Sequence, residues 1–297
     1  MKRIFLGAAA MILAGGAFAQ QNFDEVEIQT TEITDGIYML VGAGGNLGLT
    51  VGEDGAFLID DQFAPLTEKI QAAVSAVTDE PVRYVINTHW HGDHTGGNEN
   101  LGEAGALIVA HDNVRTRLKE GLTRTFLFDG ATPPAPDAAL PVITFSKDVT
   151  FHLNGHEIHA FHVAHAHTDG DAIIYFRDAN VVHMGDVFFN GRFPFIDVES
   201  GGSIDGYIAA HEKVAGLIDD ETRIIPGHGE LATKADLLRA TAALRDVQDR
   251  VAALIAAGRT EDEAVAEIDL SDYADWGGGF VNAERITRMV HRSLSTR

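Results

Sequence analysis

Residues 88–94 read THWHGDH and directly follow an apolar run at residues 82–87. The apolar run predicts a buried strand, so the histidines fall where a strand ends. Because successive side chains of a strand point to opposite faces, we expect His89 and His91 to project the same way. Trp90, between them, should point oppositely into the core. The strand end is therefore expected to bring two imidazoles to one place.

Gly92 follows these histidines and should let the chain turn, directing Asp93 and His94 at a neighbouring point. Imidazole nitrogens and carboxylate oxygens are the ligands expected of zinc or of another borderline divalent metal. The alternative is a polar strand end whose histidines only face water. Four potential ligands at H-x-H-x-D-H spacing favour a metal site instead.

The first nineteen residues form a separate unit. Lys2 and Arg3 make a basic start, residues 4–18 are mostly apolar and small, and residues 17–19 read AFA, which fits an A-x-A cleavage site. This pattern predicts a secretory signal peptide over residues 1–19, with a retained N-terminal anchor as the alternative. We therefore expect a periplasmic or secreted protein with no stable membrane insertion after signal removal.

Composition excludes several classes of protein. The chain has 297 residues, 45% of them hydrophobic, which is ample for a folded core. Its net charge of −22 would repel phosphate backbones, so we expect no nucleic-acid partner. It contains no cysteine, which removes disulfides, thiolate ligands and cysteine nucleophiles.

The order of predicted elements indicates an α+β fold. The patterns predict strands at residues 37–41, 47–51, 56–60, 82–87, 106–110, 149–153, 157–161, 171–176, 180–183 and 223–225. They predict helices at residues 64–77, 114–121, 203–218, 233–257 and 282–293. Two strand-rich halves, each followed by helices, suggest a four-layer αββα sandwich. We expect one domain over residues 20–297.

Further potential ligands lie just past three later strands. His167 begins the sequence HTDGD, Asp186 follows Gly185, and His228 lies within PGHG at residues 226–229. Loops that converge at a sheet edge are where sites are usually built. These residues are therefore candidates to complete the site begun at residues 88–94.

Four ordered motifs, H-x-H-x-D-H, A-H-T-D-G-D, G-D and P-G-H-G, resemble those of the metallo-β-lactamase superfamily. The resemblance covers nearly all of the chain after the signal peptide. It implies an αββα sandwich with a metal site, usually dinuclear, at one edge of two sheets. It also implies an enzyme with a small-molecule substrate and Zn²⁺, two ions per chain.

The resemblance also divides the ligands between two ions. His89, His91 and His167 would bind the first ion. The second would be held by Asp93, His94 and His228. Asp186 would bridge the two ions or bind the second alone, and its replacement by alanine is expected to weaken second-ion binding more than first-ion binding.

Several other residues have open alternatives. Asp60 and Asp61 end a predicted strand, and we expect them to brace the histidine loop rather than bind metal. His165 lies two residues before His167, which matches the family motif better. The glycine-rich loop at residues 42–46 is either a mobile flap or an ordinary hairpin turn. The apolar segment 188–195 is expected to wall a substrate pocket.

Two metal ions about 3.5–4 Å apart would supply a metal-bound hydroxide at neutral pH and polarise the substrate oxygen. Asp93 would orient that hydroxide and carry a proton to the leaving group, which makes it the catalytic side chain. The expected reaction is hydrolysis of an amide, ester, thioester or phosphoester.

An exported member of this family suggests hydrolysis of a β-lactam ring. Against it, the best-known lactamase subclass has cysteine where Asp186 stands and a lysine shortly after. Arg192 either replaces the charge of that lysine or is, as we expect, an ordinary surface arginine. The alternatives are a thioester or ester hydrolase of the glyoxalase II kind, a mononuclear iron dioxygenase acting on sulfur compounds, and a non-catalytic metal-binding module.

Overall fold

The computed structural model describes residues 22–34, 36–127 and 130–296. The predicted signal peptide lies outside them, and the expectation of one domain over residues 20–297 stays a prediction. The strands in the described residues are β1 (Gln29–Thr34), β2 (Ile37–Val41), β3 (Leu47–Thr50), β4 (Ala56–Ile59), β5 (Val82–Ile86), β6 (Leu107–His111), β7 (Leu122–Arg124), β8 (Gly130–Thr132), β9 (Ile143–Phe145), β10 (Asp148–Leu153), β11 (His156–His162), β12 (Ala172–Phe176), β13 (Val181–His183) and β14 (Arg223–Ile225). The α-helices are α1 (Thr67–Ser75), α2 (Gly92–Thr95), α3 (Asn98–Glu103), α4 (Asp112–Glu120), α5 (Ile204–Leu217), α6 (Lys234–Ala256), α7 (Glu261–Glu267) and α8 (Ala283–Ser295).

Two sheets hold most of the strands. The first has the order β1-β2-β3-β4-β5-β6-β9 and is antiparallel from β1 to β4 and parallel from β4 to β9. The second has the order β10-β11-β12-β13-β14, and only its β13–β14 pair is parallel. Strands β7 and β8 form a separate hairpin.

The sheets pack face to face, with helices on the outer sides. Phe57 and Ile86 of the first sheet meet Ile158 and Ile174 of the second in one apolar cluster. A second cluster joins the first sheet to α1, and others join the second sheet to α5 and α6 and these two helices to α8. The predicted four-layer αββα sandwich is confirmed.

Local sequence signals account for several elements. The hairpin predicted around Asn154 and Gly155 is present, and both residues have the left-handed φ angles, 54° and 81°, that a tight two-residue turn requires. The capping box predicted from Thr233 and Asp236 begins α6. Seven strands and α-helices were not predicted, because each is short or largely polar: β1, β7, β8, β9, α2, α3 and α7.

The strand before the histidine cluster ends earlier than predicted. Strand β5 stops at Ile86, and His91 caps the short helix α2, whose first residue is Gly92. The expectation that strand alternation aims His89 and His91 was therefore wrong, as was the turn role of Gly92, whose backbone is helical. A bend and a helical turn place the ligands instead. Trp90 is 2% exposed and lies in the core, as predicted.

In the part of the chain that the structure describes, no helix combines the length and apolar character needed to cross a membrane.

Candidate metal centre

The seven side chains proposed as ligands meet at one edge of the two sheets. They come from segments that follow β5, β11, β13 and β14. The first group consists of His89, His91, His167 and Asp186. The second group consists of Asp93, His94 and His228. Within each group the potential ligand atoms all lie within 4.8 Å of one another.

In the first group, one ring nitrogen of each histidine is held by the protein. The contacts are His89 Nδ1 to Thr88 Oγ1 at 3.0 Å, His91 Nε2 to Asp197 Oδ2 at 2.8 Å and His167 Nδ1 to Phe195 O at 2.6 Å. The opposite nitrogens face one another, with His167 Nε2 2.8 Å from His91 Nδ1. Fixing one nitrogen sets the tautomer and frees the other for a metal.

In the second group, His94 follows the same rule. His94 Nδ1 lies 2.7 Å from Asp60 Oδ2, and His94 Nε2 lies 3.6 Å from Asp93 Oδ2. His228 Nε2 lies 3.4 Å from the same Asp93 oxygen. The Asp93 side chain is 26% exposed, whereas that of His94 is fully buried, so solvent reaches this group from the side of Asp93.

Asp186 lies between the two groups and turns one oxygen toward each. Its Oδ2 is 3.8 Å from His89 Nε2 and 3.6 Å from His167 Nε2. Its Oδ1 is 3.0 Å from His94 Nε2 and 3.3 Å from His228 Nε2. This placement matches a bridging carboxylate better than a ligand of the second group alone.

The donor set fits divalent metal ions. Within the described residues, His89 Nε2, His94 Nε2 and Asp186 Oδ1 are buried polar atoms without a hydrogen bond of acceptable geometry, although the last two lie 3.0 Å apart. Leaving such atoms unpaired costs roughly 1–3 kcal/mol each, so their presence together calls for a ligand. Imidazole and carboxylate donors at this separation are the set that zinc prefers.

The two groups differ in their electrostatics. Burial, together with the neighbouring His94 and His167, lowers the pKa of His89 well below its usual value. Burial acts the same way on His228, but Asp186 and Asp93 outweigh it and raise the pKa of His228 to about 9. Protons and metal ions therefore compete most strongly at the second group.

Asp60 and Asp61 brace the histidine loop, as predicted. Asp60 accepts hydrogen bonds from Thr88 N at 2.7 Å and Thr88 Oγ1 at 2.8 Å, besides its contact with His94. Asp61 Oδ1 accepts one from Gly97 N at 2.9 Å. Both carboxylates are fully buried. Asp60 therefore links the orientation of His89, through Thr88, to that of His94.

The glycine-rich loop 42–46 is tied to the site. Asn46 N donates to Gly227 O at 2.7 Å, and its side-chain amide donates to Pro226 O and Gly229 O, each at 2.9 Å. A Cβ atom at Gly45 would overlap the His94 ring. These contacts disfavour a mobile flap. They also involve more of the protein than an ordinary hairpin turn does, because the loop is hydrogen-bonded to the segment that carries His228.

The apolar segment 188–195 only partly walls the site, contrary to expectation. Phe188 and Phe193 are buried in the core. Phe189 stacks on His228 with ring centroids 4.8 Å apart, and Phe195 lies 5.9 Å from both His91 and His167. The segment turns at residues 190–192, so its aromatic rings divide between the core and the metal centre.

Two residues near the site carried no signal in the sequence. Asp197 accepts hydrogen bonds from His91, from Arg124 Nη2 at 2.8 Å and from Ser200 Oγ at 2.6 Å. The Tyr207 hydroxyl donates to Asp186 O at 2.8 Å. Both residues lie outside the recognised motifs, so only the fold identifies them.

Several histidines outside the two ligand groups contact other protein groups. His165 is exposed and its Nδ1 lies 2.9 Å from Gly201 O, so His167 is the one in the centre. His162 stacks on His111 at 3.9 Å between ring centroids. His211 is buried with Nε2 2.7 Å from Val187 O.

His211 is expected to make stability depend on pH. Burial lowers its pKa from 6.5 to about 4, so the native state stays unprotonated while the unfolded chain takes up a proton below pH 6.5. The free energy of unfolding should therefore fall by about 3 kcal/mol as the pH drops from 6.5 to 4. Urea titrations of metal-free wild type and His211→Gln should diverge in this window; parallel pH profiles would contradict the assignment.

The sequence places the chain in a known superfamily. The sequence model of the metallo-β-lactamase superfamily matches residues 41–228. The chain belongs to the metallo-β-lactamase superfamily. Members of this superfamily are metal-dependent hydrolases, and the chain is an enzyme of that class.

Relatives within the superfamily have different named activities. The metallo-β-lactamase type 2 of Bacteroides fragilis is 22% identical over 242 residues, covering 77% of this chain and 90% of the relative. A hydroxyacylglutathione hydrolase of Polaromonas sp. is 27% identical over 210 residues, covering 67% of this chain and 71% of the relative. The metallo-β-lactamase from Pontibacter korlensis has the same fold, with a TM-score of 0.61, 18% identity and coverage of 74% of this chain and 99% of its own.

Proposed function

We propose that this protein is a zinc hydrolase with two ions per chain that opens the amide bond of a β-lactam ring. The observation that carries the dinuclear centre is the position of Asp186, with one oxygen toward His89 and His167 and the other toward His94 and His228. A carboxylate in this position can serve two ions at once.

When bound, two zinc ions would lower the pKa of a water to near 7 and polarise the carbonyl oxygen of the substrate. His89, His91 and His167 would hold one ion, and His94, His228 and Asp93 the other. Asp186 would contact both.

Asp93 is the proposed proton carrier. Its nearby histidines, His94 first, outweigh the effect of burial and lower the pKa of Asp93 to about 2, so it is a carboxylate at neutral pH. Among the three side chains of the second group, that of Asp93 is the most exposed to solvent. As a carboxylate it accepts a hydrogen bond from the attacking water, orients it, and can pass the proton to the leaving nitrogen.

A thioester hydrolase is the second candidate. Asp186 replaces the cysteine of the best-known lactamase subclass, and the Arg192 side chain is exposed. The similarity to a hydroxyacylglutathione hydrolase supports the thioester hydrolase, just as the similarity to the Bacteroides fragilis enzyme supports the β-lactamase. The carbonyl chemistry at the metals is the same in both.

We also propose that the protein works outside the cytoplasm. The basic start, apolar stretch and AFA sequence of residues 1–19 support export. N-terminal sequencing of the protein recovered from the periplasm should give a chain that begins at Gln20; recovery of the intact N-terminus from membranes would favour the anchor.

A hydrolysis panel tests the proposed function. Purified protein lacking residues 1–19 is offered a chromogenic cephalosporin, a glutathione thioester and a phosphodiester, before and after chelation. We expect cephalosporin hydrolysis that a strong chelator abolishes and added zinc restores, because every proposed step needs the ions. Hydrolysis that survives complete metal removal would overturn the proposal, and turnover of the thioester alone would establish the second candidate.

A further inference from the structure

Two aromatic rings lead from the first ligand group to the protein surface. Phe195 touches His91 and His167, and Phe280 meets Phe195 edge to face at 5.8 Å between centroids. Phe280 is 53% exposed, which is unusual for so large an apolar side chain. We call Phe195 and Phe280 the aromatic strip. It offers an apolar surface, made of two rings inclined at 74° to each other, that begins beside His91 and His167.

Arg285 lies at the outer end of the aromatic strip. Its guanidinium carbon is 4.5 Å from the centroid of Phe280, and its Nη1 donates to Phe280 O. These two contacts fix the guanidinium over the ring. The aromatic strip therefore has the metal ligands at its inner end and a positioned cation at its outer end.

Among the described residues, Arg285 lacks the acidic partner that its neighbours have. Arg288 pairs with three carboxylates and Arg292 with Glu261, whereas no described carboxylate lies within 4.0 Å of Arg285. This is notable in a chain with 44 acidic and 22 basic residues. A positioned guanidinium with no acidic partner in the described part of the chain favours an anionic ligand.

There is room for such a ligand beside Arg285. A cavity of about 510 Å³ is bordered by Phe126, Leu127 and Arg285. The acidic residues on its wall, Glu261 and Glu284, already pair with Arg288. A cavity of this size accommodates part of a small-molecule substrate.

We propose that the substrate carries a planar apolar group that packs on the aromatic strip and a carboxylate that pairs with Arg285. This inference rests on the proposed function, because the scissile carbonyl must lie at the metal centre while the rest of the molecule extends along the strip. It names the substrate class: acyl compounds with an aromatic or similarly flat apolar group and an anionic end.

Arg192, which the sequence suggested as a possible partner for a substrate carboxylate, lies in a different crevice from Arg285. It borders a narrow crevice with Pro194 and Trp276, on the side of Tyr207 that faces α6. Arg192 therefore serves as the matched control for Arg285.

Equilibrium binding tests the inference without requiring turnover. The probes are N-phenylacetylglycine and N-acetylglycine, which differ only by the phenyl ring, titrated calorimetrically into metal-loaded protein. We expect wild type to bind the phenyl compound about tenfold more tightly. Phe280→Ala should abolish this preference, and Arg285→Gln should weaken both probes about tenfold.

Leu238→Ala removes a comparably exposed apolar side chain from α6, and Arg192→Gln removes the other candidate cation; neither should change either affinity. An unchanged phenyl preference in Phe280→Ala, or equal losses in Arg285→Gln and Arg192→Gln, would overturn the inference. Loss of chelator-sensitive hydrolysis in wild type would instead count against the proposed function, since the binding preference does not depend on it.

Discussion

Replacing Asp186 with alanine is expected to lower the zinc content from two ions per chain to fewer than one. The physical reason is the position of its two oxygens, which face different histidine groups. Removing the carboxylate leaves three imidazoles in the first group and leaves Asp93 as the one carboxylate among the proposed ligands to offset two cations. Hydrolysis should fall by at least about a hundredfold, the upper range for loss of a residue that only supports a ligand.

This expectation differs from the one drawn from sequence, in which the second ion alone was most affected. The shortest distance from Asp186 to a histidine of the first group is 3.6 Å, to His167, and the shortest to one of the second group is 3.0 Å, to His94. Neither group is therefore favoured strongly. Competition titration with a chromophoric chelator resolves the two affinities. Asp112→Ala, at the half-buried start of α4, is the control. Loss of one ion with the other unchanged would show that Asp186 serves one group.

Replacing Asp60 with alanine is expected to damage both stability and metal binding. Its carboxylate is fully buried and accepts from Thr88 N, Thr88 Oγ1 and His94 Nδ1. Removal leaves three donors unpaired in the interior, so the free energy of unfolding should fall by about 3–5 kcal/mol. Zinc affinity should fall roughly 10–100-fold, because His94 loses the partner that fixes its tautomer.

Chemical denaturation and zinc titration measure the two effects separately. Asp60→Asn keeps one acceptor oxygen for Thr88 and should lose less stability than Asp60→Ala. Asp79→Ala changes an exposed aspartate and should stay within about 0.5 kcal/mol of wild type. Wild-type zinc affinity in Asp60→Ala would mean that His94 is oriented without Asp60.

The sequence predicts those parts of the fold that local patterns control. The Asn154–Gly155 turn and the α6 capping box depend on neighbouring residues, and both are present. The conformation at His89 and His91 could not be predicted in this way. The local pattern favours continuing the strand, whereas the contacts of Asp60 with Thr88 and His94 favour the bend and helix α2.

The candidate ligands are recognisable because each lies in a short motif after a strand. Their supporting partners are not, because they are distant along the chain. His91 and Asp197 are 106 residues apart, and Asn46 and Pro226 are 180 residues apart. Nothing in the spacing of Asp197 or Asn46 distinguishes them from surface polar residues. Only packing of the two sheets brings these pairs together.

The number of zinc ions needed for full hydrolysis is the most direct measurement of the central claim. Metal-free protein is titrated with zinc while hydrolysis and bound metal are followed together. An Asp186 shared between two groups predicts that activity reaches its plateau at two equivalents per chain. A plateau at one equivalent, or full activity with a single iron and none with zinc, would contradict the dinuclear zinc centre.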